Sequence, residues 1–557
     1  MSTVPDVRGE GSAQSEGGAA GAVTTLPAGA ALSGRSAVPA RRARRPAGLL
    51  LIATVIAALL AVPLVFLLIE SSRAGWSTVG SQIFRPLTGT LLWNTVRLTV
   101  AVTAACAILG TATAWLVERT DLPGRRVFAV LLVVPLAIPD FVVSFGWSSL
   151  FIWVQGFGGA VLVMTLAVYP LVYLPVAASL RAADPGQEEV ARSLGAGRVR
   201  TFIRITLGQA RGAILGGCLL VALVLLAEYG AFEMLGYQTF TTEIFTNLQL
   251  PTEVPAACAL SLVLVAISLV VLAGESRWRG GGRVARSGPL TQRVMPPLRL
   301  GIRAKVLSVA CVGVLMALAL GLPVGASIYW IVEGGVPSVS DSVSVSMLDA
   351  AWHTAAYGVS AAAIDTLVAL PVAVLAIRHA GAARHFLERS TYLVLAMPGV
   401  VIALALTYFT EQYLDSAGYQ TAPLLVLCYA IMFFPLALVG VKAAIARAPA
   451  SLDEVARSLG QGKLAAFSRV TLRLAAPGLA AAFCLVFLEV VTELTATLIL
   501  VPTGVQTLAT QFWQYQSSLS YGQAAPFALV MIAVAALPSI ALGRFFNRSA
   551  DTRGMER

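Results

Sequence analysis

Long apolar stretches separated by short polar, arginine-rich segments make up most of this chain. They run at about 47–69, 91–117, 127–154, 158–180, 210–232 and 255–273. After a break they resume at about 306–332, 351–377, 390–410, 421–446, 475–500 and 524–543. A helix needs roughly 20 apolar residues to cross a bilayer, so the pattern predicts an all-α polytopic membrane protein with about twelve spans. The first stretch follows Arg41, Arg42, Arg44 and Arg45. It is too long for a signal peptide and lacks a small-residue cleavage site, which predicts a first span with its N-terminus inside.

Composition agrees with the pattern. Of 557 residues 57% are hydrophobic and 12% charged, against about 25% charged in soluble domains, so no large soluble domain is left over. The net charge of +11 would suggest a nucleic-acid partner in a soluble protein, but here position decides. With the N-terminus inside, 36 of 39 Lys and Arg residues fall on the inner side, and only Arg73, Arg85 and Arg97 fall outside. That is the positive-inside distribution, so the expected partner is the bilayer rather than nucleic acid, with both termini cytoplasmic. The six cysteines lie far apart inside apolar runs, which suggests neither disulfides nor a thiolate metal site. Few lysines and many Ala and Gly residues point to a GC-rich bacterial genome and hence a bacterial inner membrane.

The chain repeats itself. Glu188–Leu207 (EEVARSLGAGRVRTFIRITL) and Asp453–Leu472 (DEVARSLGQGKLAAFSRVTL) share twelve of twenty residues at an offset of 265. Pro139 and Pro398 correspond at 259, Pro170 and Pro435 at 265. Two homologous six-helix halves follow, in parallel orientation because six is even. The expected organisation is a disordered basic tail (1–46), a first half (47–273), a cytoplasmic linker (274–305), a second half (306–545) and a C-terminal tail (546–557). Each half carries its copy of the motif between its fourth and fifth spans. Lipid packing gives no reason to keep a polar segment alike in both halves, so the motif points to a shared partner. Gly195 and Gly460 would allow a sharp turn between two short helices on the membrane surface.

These residues resemble a known family. Glu189-Val190-Ala191-x3-Gly195-x9-Ile205-x-Leu207 and Glu454-Val455-Ala456-x3-Gly460-x9-Val470-x-Leu472 are similar to the EAA coupling loop of ABC-importer permeases. Both copies have Val for the first Ala, and Gly208 and Arg473 replace the usual proline. The resemblance, over about residues 90–545, implies the type I permease fold and an ATP-binding cassette ATPase docking on both loops. The docking residues would be Glu189, Ala191, Gly195, Phe202, Arg204 and Leu207, with Glu454, Ala456, Gly460, Phe467, Arg469 and Leu472. No phosphate-binding GxxxxGK[ST] is present; Gly460-Gln461-Gly462-Lys463-Leu464 lacks the spacing and the hydroxyl. ATP and Mg2+ would therefore sit on a separate subunit, with no cofactor on this chain and no catalytic residues. Because the loops are alike, an ATPase homodimer could engage both. An extracytoplasmic binding protein would deliver cargo to outer loops around 70–90, 233–254, 333–350 and 501–523.

Fused permease halves resemble the ferric-iron, thiamine and aminophosphonate importers, and local motifs favour iron. Glu493-Leu494-Thr495-Ala496-Thr497-Leu498-Ile499-Leu500-Val501-Pro502 with Thr507-Leu508-Ala509 is similar to the ELPATLLLRP…TLA stretch of ferric-iron permeases, with Thr495 and Val501 replacing Pro and Arg. Ala227–Ala231 and Gly236–Phe245 resemble corresponding segments of the first half. Independently of the family, carboxylates in spans are costly and face a cavity or partner. Glu228, Glu489 and Glu493 lie in the predicted fifth spans, Glu228 and Glu493 being repeat counterparts. Lining a pathway, they could give Fe3+ transient hard-oxygen contacts; alternatively they hydrogen-bond to broken-helix backbone or sit near outer water. Asp140 and Asp365 are further candidates, more readily read as packing or backbone-satisfying residues. His353, His379 and His385 form no ligand pattern. The rivals are a major-facilitator-type secondary transporter, favoured by Asp121-Leu122-Pro123-Gly124-Arg125-Arg126 but with no use for duplicated loops, and a membrane enzyme, for which no His/Asp or Ser/His set is found.

Overall fold

The computed structural model describes residues 47–183, 185–250, 253–278, 297–334, 341–378, 390–391, 393–413, 418–536 and 538. The N-terminal tail with its arginine run, most of the linker, His379, His385 and the C-terminal tail lie outside the described residues. Those described are almost entirely helical, the one β-type pairing being an isolated bridge between Thr120 and Leu298.

Eight helices are long and apolar enough to cross a membrane, and ten spans result if two bent pairs each count as one. The predicted twelve are thus all helical but not all simple spans. The stretch at 127–154 bends by 90° between Ala137 and Asp140, where Pro139 cannot donate its backbone to a continuing helix. The stretch at 158–180 bends by 41° at Pro170. Those at 390–410 and 524–543 yield the shorter helices Gly399–Tyr413 and Tyr521–Ala536.

Each half is built on the same three packed helices. In the first they are Pro86–Arg119, Pro170–Arg181 and Leu207–Ala227; in the second, Asp341–Arg378, Ala422–Ala446 and Leu472–Thr492. The opening helix of each half crosses to the other half. Ala47–Arg73 packs on Asp341–Arg378 and Gly399–Tyr413, and Leu322–Glu333 packs on Asp140–Ser148. Gly146 permits the second crossing, since a Cβ there would meet Pro323 Cα at 2.6 Å. Small residues allow such close backbone approach between membrane helices, where packing rather than hydrophobicity drives association.

Hydrogen bonds repeat between the halves as well. Thr95 Oγ1 accepts the Phe240 N–H at 3.3 Å, and Thr354 Oγ1 accepts the Leu508 N–H at 2.9 Å. Each bond catches the start of a late helix, Phe240–Leu248 or Leu508–Ser517, whose own N-cap threonine, Thr239 or Thr507, forms a reciprocal capping box. Helix starts have orphan N–H groups, and filling them inside a membrane protein anchors the helix where water cannot.

Candidate functional site: two coupling loops and a carboxylate break

The repeated motif forms a helix–turn–helix in both halves. Pro185–Ser193 is followed by a turn at Gly195 (φ 82°), the short helix Arg198–Thr201 and a π-turn at Phe202–Thr206 that runs into Leu207–Ala227. Ala450–Ser458, Gly460 (φ 87°), Lys463–Ala466 and a π-turn at Phe467–Thr471 repeat it. Ala196 N–H donates to Ala191 C=O and Gln461 N–H to Ala456 C=O, at 3.0 and 3.1 Å. This six-to-one closure requires a left-handed residue, which glycine supplies without a Cβ penalty.

The acid that holds each loop in place is the residue before the predicted glutamate. Glu188 accepts hydrogen bonds from the Arg119 guanidinium and from Thr206 Oγ1, the latter at 2.8 Å. Asp453 accepts from Arg378 Nη1 at 2.5 Å and from Thr471 Oγ1 at 2.7 Å. Each triad joins the coupling helix to the end of the second long helix and to the π-turn. Glu188, Asp453, Thr206 and Thr471 are all buried. Sequence reasoning missed these residues, although Thr206 and Thr471 are identical in the repeat and Glu188 and Asp453 are its first aligned pair.

Glu189 and Glu454 are exposed, as are Gly195, Gly460, Arg204 and Arg469. Ala191 and Ala456 are half-buried, their carbonyls closing the turn. Phe202, Phe467, Leu207 and Leu472, the other residues expected at the docking surface, are half-buried within the permease. The Phe202 ring packs edge-on against Trp115 at 5.5 Å, and the Arg378 guanidinium lies over the Phe467 ring at 5.8 Å. The outward apolar residues are instead Leu194 (81% exposed) and Leu459 (77%), with Val190 and Val455 beside them. Exposed leucines at matching places in two loops are what a protein partner buries.

The carboxylates expected inside the fifth spans stand at a break in them. Leu207–Ala227 ends at Glu228, and Leu472–Thr492 ends at Glu493, both residues in extended conformation. Glu228 Oε1 accepts the Ala231 N–H at 2.7 Å, and Glu493 Oε1 accepts the Ala496 N–H at 2.9 Å. Their carbonyls accept hydroxyls from Thr241 and Thr497, at 2.5 and 2.8 Å. The broken-helix role is therefore present in both halves. Glu489 is exposed one turn earlier, and half-buried Asp140 starts the helix after Pro139.

Asp140 and Glu493 each lie within electrostatic reach of both Glu228 and Glu489. Among the described residues no three acidic, His or Cys side chains are placed to hold a metal ion together. Asp365 stands apart, 1% exposed, and its Oδ2 has no hydrogen-bond partner. Of its two expected roles, packing and satisfying backbone, its burial agrees with packing.

Aromatic side chains of both halves meet near the two breaks. A cavity of about 10 Å³ beside Glu493 is lined by Thr354, Tyr357, Tyr429, Thr497 and Thr507, room for about one water. Tyr229 stacks on Phe245 at 4.2 Å and meets Trp513 at 5.6 Å, and Phe141 packs on Phe512 at 5.4 Å.

Comparison with known proteins agrees with the duplicated architecture. The chain is 34% identical to the Fe(3+)-transport system permease protein FbpB 2 of Haemophilus influenzae over 504 residues, covering 90% of this chain and 99% of that one. It is 24% identical to the ferric transport system permease protein FbpB of Actinobacillus pleuropneumoniae, over 75% of this chain and 65% of that one. The sulfate transport system permease protein CysT of Salmonella typhimurium is 28% identical over 38% of this chain and 84% of its own length. The family described as "Binding-protein-dependent transport system inner membrane component" matches twice, over residues 108–274 and 366–553. With both halves matched and both coupling loops inside the matched regions, the chain belongs to that family of inner-membrane transport permeases.

Proposed function

We propose that the chain is the complete membrane pathway of an ATP-driven importer of ferric iron. The observation that carries the reading is the alignment with a ferric-iron permease over 99% of that protein's length. The sulfate and molybdenum permeases instead align with 38% and 34% of this chain. An ATP-binding cassette ATPase, a homodimer, docks on the two loops. Leu194 and Leu459 enter its grooves, while Glu189 and Glu454 make polar contacts at the rim. An extracytoplasmic binding protein hands over the cargo. Both termini are cytoplasmic.

The geometry supports a division of labour. Nucleotide-driven movement of the ATPase pulls on each coupling helix, and the triads on Glu188 and Asp453 pass that pull to the second and fifth spans. The fifth spans end at Glu228 and Glu493, so their movement opens the aromatic seal between the halves. Glu489 and Asp140, together with the carboxylates of Glu228 and Glu493, then give a hard trivalent cation brief oxygen contacts. Weak, separated contacts suit passage, because an ion held by three converged carboxylates would leave slowly.

The test is uptake of radiolabelled ferric iron, sulfate and molybdate by iron-starved cells lacking this chain, with redundant iron systems removed. Restoring the chain should restore ferric uptake alone. Restored sulfate or molybdate uptake without iron would overturn the substrate, and a chain that restores none of the three would overturn the iron reading.

A further inference from the structure

Residues 118–121 gather three separate segments at the coupling-loop end of the first half. Glu118 pairs with Arg181 Nε at 3.1 Å, at the end of Pro170–Arg181. Arg119 holds Glu188 on the first coupling helix. Asp121 holds the segment leading into the opening helix of the second half, Ile302–Met316: its Oδ1 accepts the Leu300 N–H at 2.8 Å, and its Oδ2 pairs with Lys305 Nζ at 2.7 Å. Backbone bonds complete the fastening. Leu298 N–H donates to the Arg119 carbonyl at 2.8 Å, and Asp121 N–H donates to the Leu298 carbonyl at 3.1 Å.

Arg119 is thereby held from two sides. It ends the helix Pro86–Arg119, where backbone carbonyls lack helical partners, and a chain segment some 180 residues away fills that place. Its side chain carries the coupling helix through Glu188. The Lys305 ammonium and the Leu300 N–H both favour the charged Asp121 carboxylate and hold it below its ordinary pKa. The second half's opening span, Ile302–Glu333, also meets the first half further along, where Pro323 lies against Gly146 of the helix that Asp140 begins. One span therefore connects the neighbourhood of a pathway carboxylate with the anchor of a coupling loop.

We propose that Asp121 is a positioning residue for the first coupling loop: by fastening residues 298–305 to the first half it fixes Arg119, and through Arg119 it sets the seat of Glu188. Docking at that loop then answers to the position of the second half's opening span. The proposal rests on the reading of the two loops as ATPase-docking sites.

The test is a set of double-mutant cycles in proteoliposomes holding the permease, its ATPase and its binding protein, read as iron transported per ATP hydrolysed. Asp121→Ala should lower that ratio about fivefold, with the unfolding temperature within about 2 °C of wild type. Asp121→Glu, which keeps both acceptor oxygens, should recover at least half of it. Added to Arg119→Ala, Asp121→Ala should cause no further loss, whereas added to Arg378→Ala it should multiply the loss. Equal multiplication with both arginines, or a wild-type ratio in Asp121→Ala, overturns the proposal. Failure of the underlying reading is separately visible: Glu189→Ala/Glu454→Ala would then leave both transport and ATP hydrolysis unchanged.

Discussion

Glu228 and Glu493, 265 positions apart, make the same bond at the same break: each ends a long helix and accepts, through Oε1, the N–H three residues ahead that starts the next one. A side-chain amide oxygen can accept that N–H too, whereas only a carboxylate brings charge. Glu228→Gln and Glu493→Gln should therefore assemble normally while lowering ferric uptake, by about tenfold together. The corresponding alanine variants should also lose stability, by about 1–3 kcal/mol for each N–H left unpaired. Uptake measured against membrane abundance separates the two; full uptake in the glutamine pair would remove these carboxylates from the pathway.

The triads make a sharper structural prediction. Glu188→Ala leaves the nearly buried Arg119 without its partner, at a cost of about 3–5 kcal/mol, so thermal unfolding in detergent should begin well below wild type. Its neighbour Glu189 is exposed and makes no such contact, and Glu189→Ala should stay within about 0.5 kcal/mol. A reversed order would mean that the buried acid is not the anchor.

Much of this was legible in the sequence, for identifiable reasons. Apolar length and arginine placement report the membrane directly, and the repeat located both coupling loops and the turn glycines Gly195 and Gly460. The division of roles within each loop was not legible. Glu188 and Glu189 are adjacent and chemically alike, and only helix phase, set by packing on Arg119, buries one and exposes the other. A broken-helix role for Glu228 and Glu493 was one of two open readings, but where the spans end was hidden, because apolar residues continue past both glutamates and hydropathy does not register a change of backbone direction. The outward leucines Leu194 and Leu459 were masked for the converse reason, since an apolar residue near a membrane reads as buried until its surroundings are known.

Those leucines give a binding prediction. If these leucines seat in the ATPase as proposed, Leu194→Asp and Leu459→Asp place a charge in an apolar contact, and the double variant should retain less than about a tenth of the co-purifying ATPase. Because both side chains are largely in solvent, the permease should keep its unfolding temperature. Undiminished ATPase capture would move the docking surface elsewhere.

The turns are testable without touching any contact. Gly195 and Gly460 have φ of 82° and 87°, a conformation that costs other L-residues roughly 1–2 kcal/mol. Valine at either position should weaken ATPase association at that loop, and asparagine, which tolerates left-handed backbone, should weaken it less. Equal behaviour of the two substitutions, read by titration of ATPase onto reconstituted permease, would show that the turn geometry is not what docking requires.

The central claim is that paired loops convert ATP hydrolysis into iron movement, and the most direct measurement is iron accumulated per ATP hydrolysed by proteoliposomes containing permease, ATPase and binding protein. Wild type should accumulate ferric iron only with ATP, and Glu189→Ala/Glu454→Ala should lose most of that accumulation while remaining folded. Accumulation unchanged in the double variant, or proceeding without ATP, would contradict the account.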